Sequence, residues 1–178
     1  PGSGYDIVVT KLNASGTAII GSKKIGGGGD DGVNIVPGRS GTNSLNRNYG
    51  DDGRSEVILD AAGNIYVASS TQSNNFPFTA GSFQANYGGG NQDGVMLKFN
   101  SNISTLLFAS YLGGSANDAA YVLSLDPAGN IYVAGGTEST NLRGNTAGTK
   151  GPNNHGGIDG FISVINNSGT AIIRTPYV

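Results

Sequence analysis

The chain has 178 residues with ten basic and twelve acidic side chains, a net charge of −2, and no cysteine. That length allows one domain with a real core; the charge balance excludes a polyanion-binding surface, and with it nucleic acid as a partner; the missing thiols exclude a disulfide framework or a thiolate metal site. Charged residues are 12% against 37% apolar, with 31 glycines, which suits a turn-rich all-β protein, because disordered chains lack such grouped Ile, Val, Leu and aromatic residues.

The chain opens at Pro1 without a secretion signal and is read as a segment of something longer. No apolar run approaches the length of a membrane span, so membrane insertion is not expected. The first element, DIVVTKLNASGTAIIGSKKIGG from Asp6, holds two apolar runs about an Asn-Ala-Ser-Gly turn. GGGGDDG follows from Gly26 and DDG returns at Asp51; between them Val33–Gly50 reads as a loop-like insert. DAAGNIYVASST begins at Asp60, and Thr71–Gln92 is a long connection. DGVMLKFNSNISTLLFASYLGG runs from Asp93, DPAGNIYVAGGT from Asp126 and DGFISVINNSGTAIIRTPYV from Asp159.

These phrases repeat. Asp60 falls on Asp126 and Asp93 on Asp159 at a shift of 66, while Asp6 precedes Asp93 by 87. The surplus of 21 equals the spacing of the two DDG copies, Asp30 to Asp51. The chain thus divides into a half repeat at 1–29, a full repeat with an insert at 30–112, and a full repeat at 113–178. Each full repeat holds four short apolar runs; in the last they are Tyr121–Leu125, Ile131–Ala134, Phe161–Ile165 and Ala171–Ile173. Val, Ile, Leu and Tyr bounded by Gly, Asn, Asp and Ser mark strands. Several runs are apolar without alternation, as in strands covered on both faces. Asp-Pro-Ala-Gly-Asn is a tight turn, because Pro127 presets φ and Gly129 or Asn130 accepts positive φ. Four antiparallel strands that must stack on neighbours describe a β-propeller blade. The expectation is therefore all-β, with about two and a half blades. Their extra length lies at Thr71–Gln92 and Thr137–Ile158, and long loops in a packed fold are common places for function.

The segment YLGGSANDAAYVLSLDPAGNIYVAGGTEST resembles the SBBP-type β-propeller repeat of secreted and cell-surface bacterial proteins. Tyr111-Leu112-Gly113-Gly114, Asp118, Asp126, Gly129-Asn130, Tyr132-Val133 and Gly135 fit that pattern, as do Phe76-Pro77 and Asp93. Leu142-Arg143 replaces Phe-Pro in the second copy, Ser69 replaces a Gly in the first, and the insert is foreign to the pattern. The resemblance implies a propeller in an extracellular setting and no particular ligand or reaction.

Candidate sites compete with turn chemistry. Asp30, Asp31, Asp51, Asp52 and Asp118 sit in oxygen-rich turns that suit Ca²⁺, yet the spacing is not that of an EF-hand, and Asp in turns caps its own backbone. Gly26–Gly29 lacks the Lys-Ser/Thr of a phosphate loop. His155 is the only histidine and has no evident nucleophile or orienting partner. The acids recur with the repeat, which points to turns and away from a carboxylate pair for glycoside hydrolysis. Asn13-Ala-Ser15, Asn102-Ile-Ser104 and Asn166-Asn-Ser168 fit glycosylation sequons, but hairpin turns account for them better. Phe76, Phe78, Phe83 and Tyr87 crowd one long loop whose counterpart holds no aromatic residue. Either the loop folds over the sheet edge or it offers a stacking surface to a sugar or protein.

The expected role is an extracellular, cell-surface module, structural or adhesive and not enzymatic, that presents loops to a protein or glycan. Its other expected partners are further blades of the same chain or other copies. A self-assembling filament subunit and a fragment of a larger propeller enzyme are the alternatives.

Overall fold

A computed structural model describes residues 4–34, 53 and 55–178. These form ten strands: β1 (Ile7–Leu12), β2 (Ile19–Ile25), β3 (Glu56–Leu59), β4 (Ile65–Thr71), β5 (Asp93–Phe99), β6 (Leu106–Leu112), β7 (Asp118–Leu125), β8 (Ile131–Thr137), β9 (Asp159–Ile165) and β10 (Ile172–Arg174). They make three antiparallel sheets, β1–β2, β3–β4–β5–β6 and β7–β8–β9–β10, each in chain order. The all-β class and the four-stranded repeat are present as expected. The described strands form no closed ring. Asp51, Asp52 and most of the insert lie outside the described residues.

The insert nevertheless has a definite point of entry. Asp31 bridges Thr71, as Asp118 pairs with Thr137. Glu56 pairs with Ala68, as Val122 pairs with Ala134. The extra residues therefore interrupt the first strand of the second sheet, between Asp31 and Glu56.

Local chemistry fixes the hairpins. Asp126 Oδ1 accepts the Ala128 and Asn130 amides at 2.9 and 2.8 Å, and Oδ2 accepts the Asn130 side chain at 2.9 Å. The Asn130 side-chain bond, and then the backbone amides, hold this carboxyl below its ordinary value. Asp60 makes the same bonds to Ala62 and Asn64, and Gly63 and Gly129 close the turns at φ 78° and 81°. At the other hairpins Asn13, Asn100 and Asn166 each accept backbone amides four to five residues on. The sequon asparagines Asn13 and Asn166 are thus occupied in holding turns.

Two apolar layers join the three sheets. Ile7, Val9 and Ile25 of the first sheet pack on Ile65, Val67, Val95, Leu97 and Phe99 of the second. The second sheet's other face, Tyr66, Ala68, Met96, Phe108 and Leu112, packs on Leu123, Ile131, Val133, Phe161 and Ile165 of the third. The middle sheet is covered on both sides, so β4 is buried at every residue. The outer sheets are covered once, and in them β1 and β9 alternate between buried and more exposed residues. Tyr66 is 2% exposed and its repeat counterpart Tyr132 is 39% exposed.

One residue pays for its packing with backbone strain. Ile103 has φ 61°, at the turn position where the other copies carry Gly16 and Gly169, both at φ 70°. A β-branched residue is costly there, and Ile103 is held by burial against the first sheet. Ile103→Gly relieves the strain while deleting the buried side chain. Its net loss in urea unfolding should fall short, by about 1 kcal/mol or more, of the roughly 2–5 kcal/mol typical of truncating a buried Ile.

Candidate functional site

The chain crosses from one sheet to the next through a hydrogen-bonded clamp that occurs twice. After β6, the Gly114 amide donates to Asp118 Oδ2 at 2.7 Å, the Ser115 amide to Asn141 Oδ1 at 2.9 Å and the Ala116 amide to Ser139 Oγ at 2.9 Å. Ser139 Oγ donates to Asp118 Oδ2 at 2.8 Å, and Thr137 Oγ1 donates to Asp118 Oδ1. After β2 the same bonds run from Gly27 to Asp31, Gly28 to Asn75 and Gly29 to Ser73, with Ser73 and Thr71 again donating to Asp31. Burial is the main cause pushing the Asp31 and Asp118 carboxyls up, Asp118 to about 6, against the hydrogen bonds that lower them. The clamp residues Thr71, Ser73 and Asn75 recur as Thr137, Ser139 and Asn141; this Thr-x-Ser-x-Asn echo is the sequence signal that would have found them.

This geometry places the candidate calcium residues. Asp31 and Asp118 each accept one amide and two hydroxyls, so their oxygens are already engaged. Asp30 Oδ1 accepts the Tyr5 amide at 3.0 Å. Gly27, Gly28 and Gly29 turn their amides onto these protein acceptors. Among the described residues no group of three or more His, Cys, Asp or Glu gathers to hold a metal. His155 has a partner that the sequence did not suggest: its amide donates to Asp159 Oδ2 at 2.7 Å and its Nδ1 lies 3.6 Å from Oδ1.

The aromatic loop between β4 and β5 does two things. Phe76 is 1% exposed and meets Tyr111 edge-on at 6.2 Å between ring centroids; Tyr87 meets the same ring at 5.7 Å. Tyr111 Oη accepts the Phe76 amide at 2.7 Å and donates to the Ser73 carbonyl at 3.0 Å, pinning the start of the loop. Phe83 packs against the layer between the second and third sheets. Phe78, in contrast, is 51% exposed. It stands in an open cleft of about 570 Å³ with Asn74, Asn75, Asn86, Tyr87 and Tyr111. Three of the loop's four rings are thus buried or half-buried, and Phe78 alone of them is exposed. No family model matches the chain, and no curated protein matches it.

Proposed function

We propose that the chain belongs to an extracellular, cell-surface repeat module of β-propeller type, structural or adhesive and not enzymatic, that uses its β4–β5 loop to bind a glycan or protein. The observation that carries this reading is the cleft at Phe78. A large ring held in water beside a half-buried tyrosine and side-chain amides offers stacking and hydrogen bonding together, the combination that sugars and peptide edges require. The stacked sheets support the blade reading, because the middle one needs a neighbour on each face. The SBBP-type motifs add the secreted bacterial setting.

A glycan and peptide array probed with wild type and Phe78→Ala tests it. The variant should lose binding at least tenfold while its melting temperature stays put, since exposed substitutions usually change stability by less than about 0.5 kcal/mol. An array without a single hit, or hits indifferent to Phe78, would sink the proposal. Phe76→Ala should instead unfold the loop and cost about 3–5 kcal/mol.

A second reading, self-assembly into a filament, is favoured by the outer faces. Val8 and Leu12 on one end and Tyr132 and Ile162 on the other are exposed, at repeat positions that the middle sheet buries as Val95, Phe99, Tyr66 and Met96. Such faces suit a head-to-tail contact between copies. Sedimentation that grows with concentration would favour it over the module reading.

A further inference from the structure

The aspartate that opens the third strand of each repeat occurs three times, as Asp6, Asp93 and Asp159. Two of the three have a basic side chain at hand. Lys24 Nζ lies 2.5 Å from Asp6 Oδ2, and His155 Nδ1 lies 3.6 Å from Asp159 Oδ1. At the position of Lys24 the middle repeat carries Tyr111, whose hydroxyl is committed to Phe76 and Ser73. Asp93 is 0% exposed. Its Oδ2 accepts the Gly88 amide at 2.6 Å, and its Oδ1 is buried with no hydrogen-bond partner among the described residues.

Asp93 also faces a second carboxylate. A Cβ placed on Gly113 would collide with both Asp93 Oδ1 and Asp118 Oδ2, so the two acids meet across this glycine, where the chain passes from the second sheet to the third. Among the described residues the other titratable groups turned towards Asp93 are the phenols of Tyr87, from the β4–β5 loop, and Tyr111, from β6. Glu138 lies behind Asp118. None of these is basic. No basic side chain among the described residues faces the pair, and a buried anion beside a second anion with no counter-ion is untenable; one of the two takes up a proton. The donors decide which. Asp118 accepts three hydrogen bonds that favour its charged form, and Asp93 accepts one.

We propose that Asp93 is a proton-binding site at the junction of the second and third sheets: a neutral acid beside ionised Asp118, whose loss of the proton weakens the junction. The proton sits on the otherwise unpartnered Oδ1 and leaves to solvent, with no other bond changed. The direction of the titration agrees: burial first, and then the Asp118 charge, push Asp93 up to about 7. A carboxyl raised in the folded state makes stability fall with pH between its unfolded value, near 4, and its folded one. The folding constant should drop by up to about tenfold per pH unit across that window, and level off above about pH 7.

Two measurements test this on the full chain. The first follows urea unfolding of wild type and Asp93→Asn from pH 6 to pH 8, above most of the range in which Asp118, raised to about 6, itself holds a proton. Asparagine keeps an acceptor for the Gly88 amide and carries no charge, so the variant should lose most of the slope and be more stable than wild type at pH 8. Equal slopes, or a variant weakened equally at every pH, would overturn the proposal. The second follows the Asp93 side-chain carboxyl carbon by NMR in the folded wild type, and stands even if the variant fails to fold. A midpoint near neutrality supports the site, and one in the ordinary carboxylate range refutes it. If Ca²⁺ or Na⁺ instead stabilises wild type at pH 8 and not Asp93→Asn, a bound cation balances the charge and the proton assignment is wrong.

Discussion

Asp118→Ala is expected to destabilise the protein by roughly 3–5 kcal/mol at pH 5, enough to lower the melting temperature of a chain this size by about 10 °C or more. The Gly114 amide and the Thr137 and Ser139 hydroxyls all donate to this one buried carboxylate. Removing it leaves three donors short of an acceptor, each worth about 1–3 kcal/mol when buried. Rotation of the hydroxyls recovers part of this, as Thr137 Oγ1 already lies 3.4 Å from the Ser139 carbonyl. At pH 8 the loss should be smaller. Burial raises the Asp118 carboxyl to about 6, so above that pH the wild type carries the cost of a desolvated charge that alanine does not. Asp118→Asn, which keeps one acceptor, should fall between the two. Thermal unfolding of the three proteins at both pH values checks the order. An alanine variant within about 1 kcal/mol of wild type at pH 5 would mean that the clamp does not hold the crossover.

Tyr66→Ala is expected to cost about 3–5 kcal/mol, and Tyr132→Ala no more than about 1 kcal/mol. The two residues occupy the same place in successive Gly-Asn-Ile-Tyr-Val-Ala phrases. Tyr66 lies in the layer between the second and third sheets, with Lys98 Nζ 4.6 Å from its ring centroid and its hydroxyl 3.4 Å from Asp60 Oδ2. Tyr132 projects from the uncovered face of the third sheet. Paired urea melts of the two variants measure the difference. The contrast also probes assembly: if copies stack through the end faces, the cost of Tyr132→Ala should rise with protein concentration, as binding to the folded state stabilises it by mass action.

Much of this was legible in the residues. The hairpin of β7 and β8 could be read from Asp126, Gly129 and Asn130, because the turn is built from atoms within five residues of one another. The observed β7 begins at Asp118, three residues before the apolar run at Tyr121. Its opening Asp-Ala-Ala carries no strand signal, and it is strand because Asp118 pairs with Thr137 across the sheet. The two Asp-Asp-Gly copies are alike as sequence, and only the bridge to Thr71 identifies Asp31 as the clamp residue. Four aromatic residues in one loop left packing and presentation both open. The fold divides them, sending Phe76 inward to Tyr111 and leaving Phe78 in water.

The sequence by itself determined the strands, their turns and their order, because short apolar runs, β-branching and turn chemistry act over a few residues and repeat with the chain. Through the apolar runs of β4 and β8 it also led to the expectation of sheets covered on both faces, which the middle sheet meets. Only the tertiary structure decided which sheets are so covered, and only it brought Asp93 against Asp118 with no basic neighbour among the described residues. Burial and charge pairing depend on groups distant along the chain, so identical phrases acquire different surroundings according to what is stacked upon them.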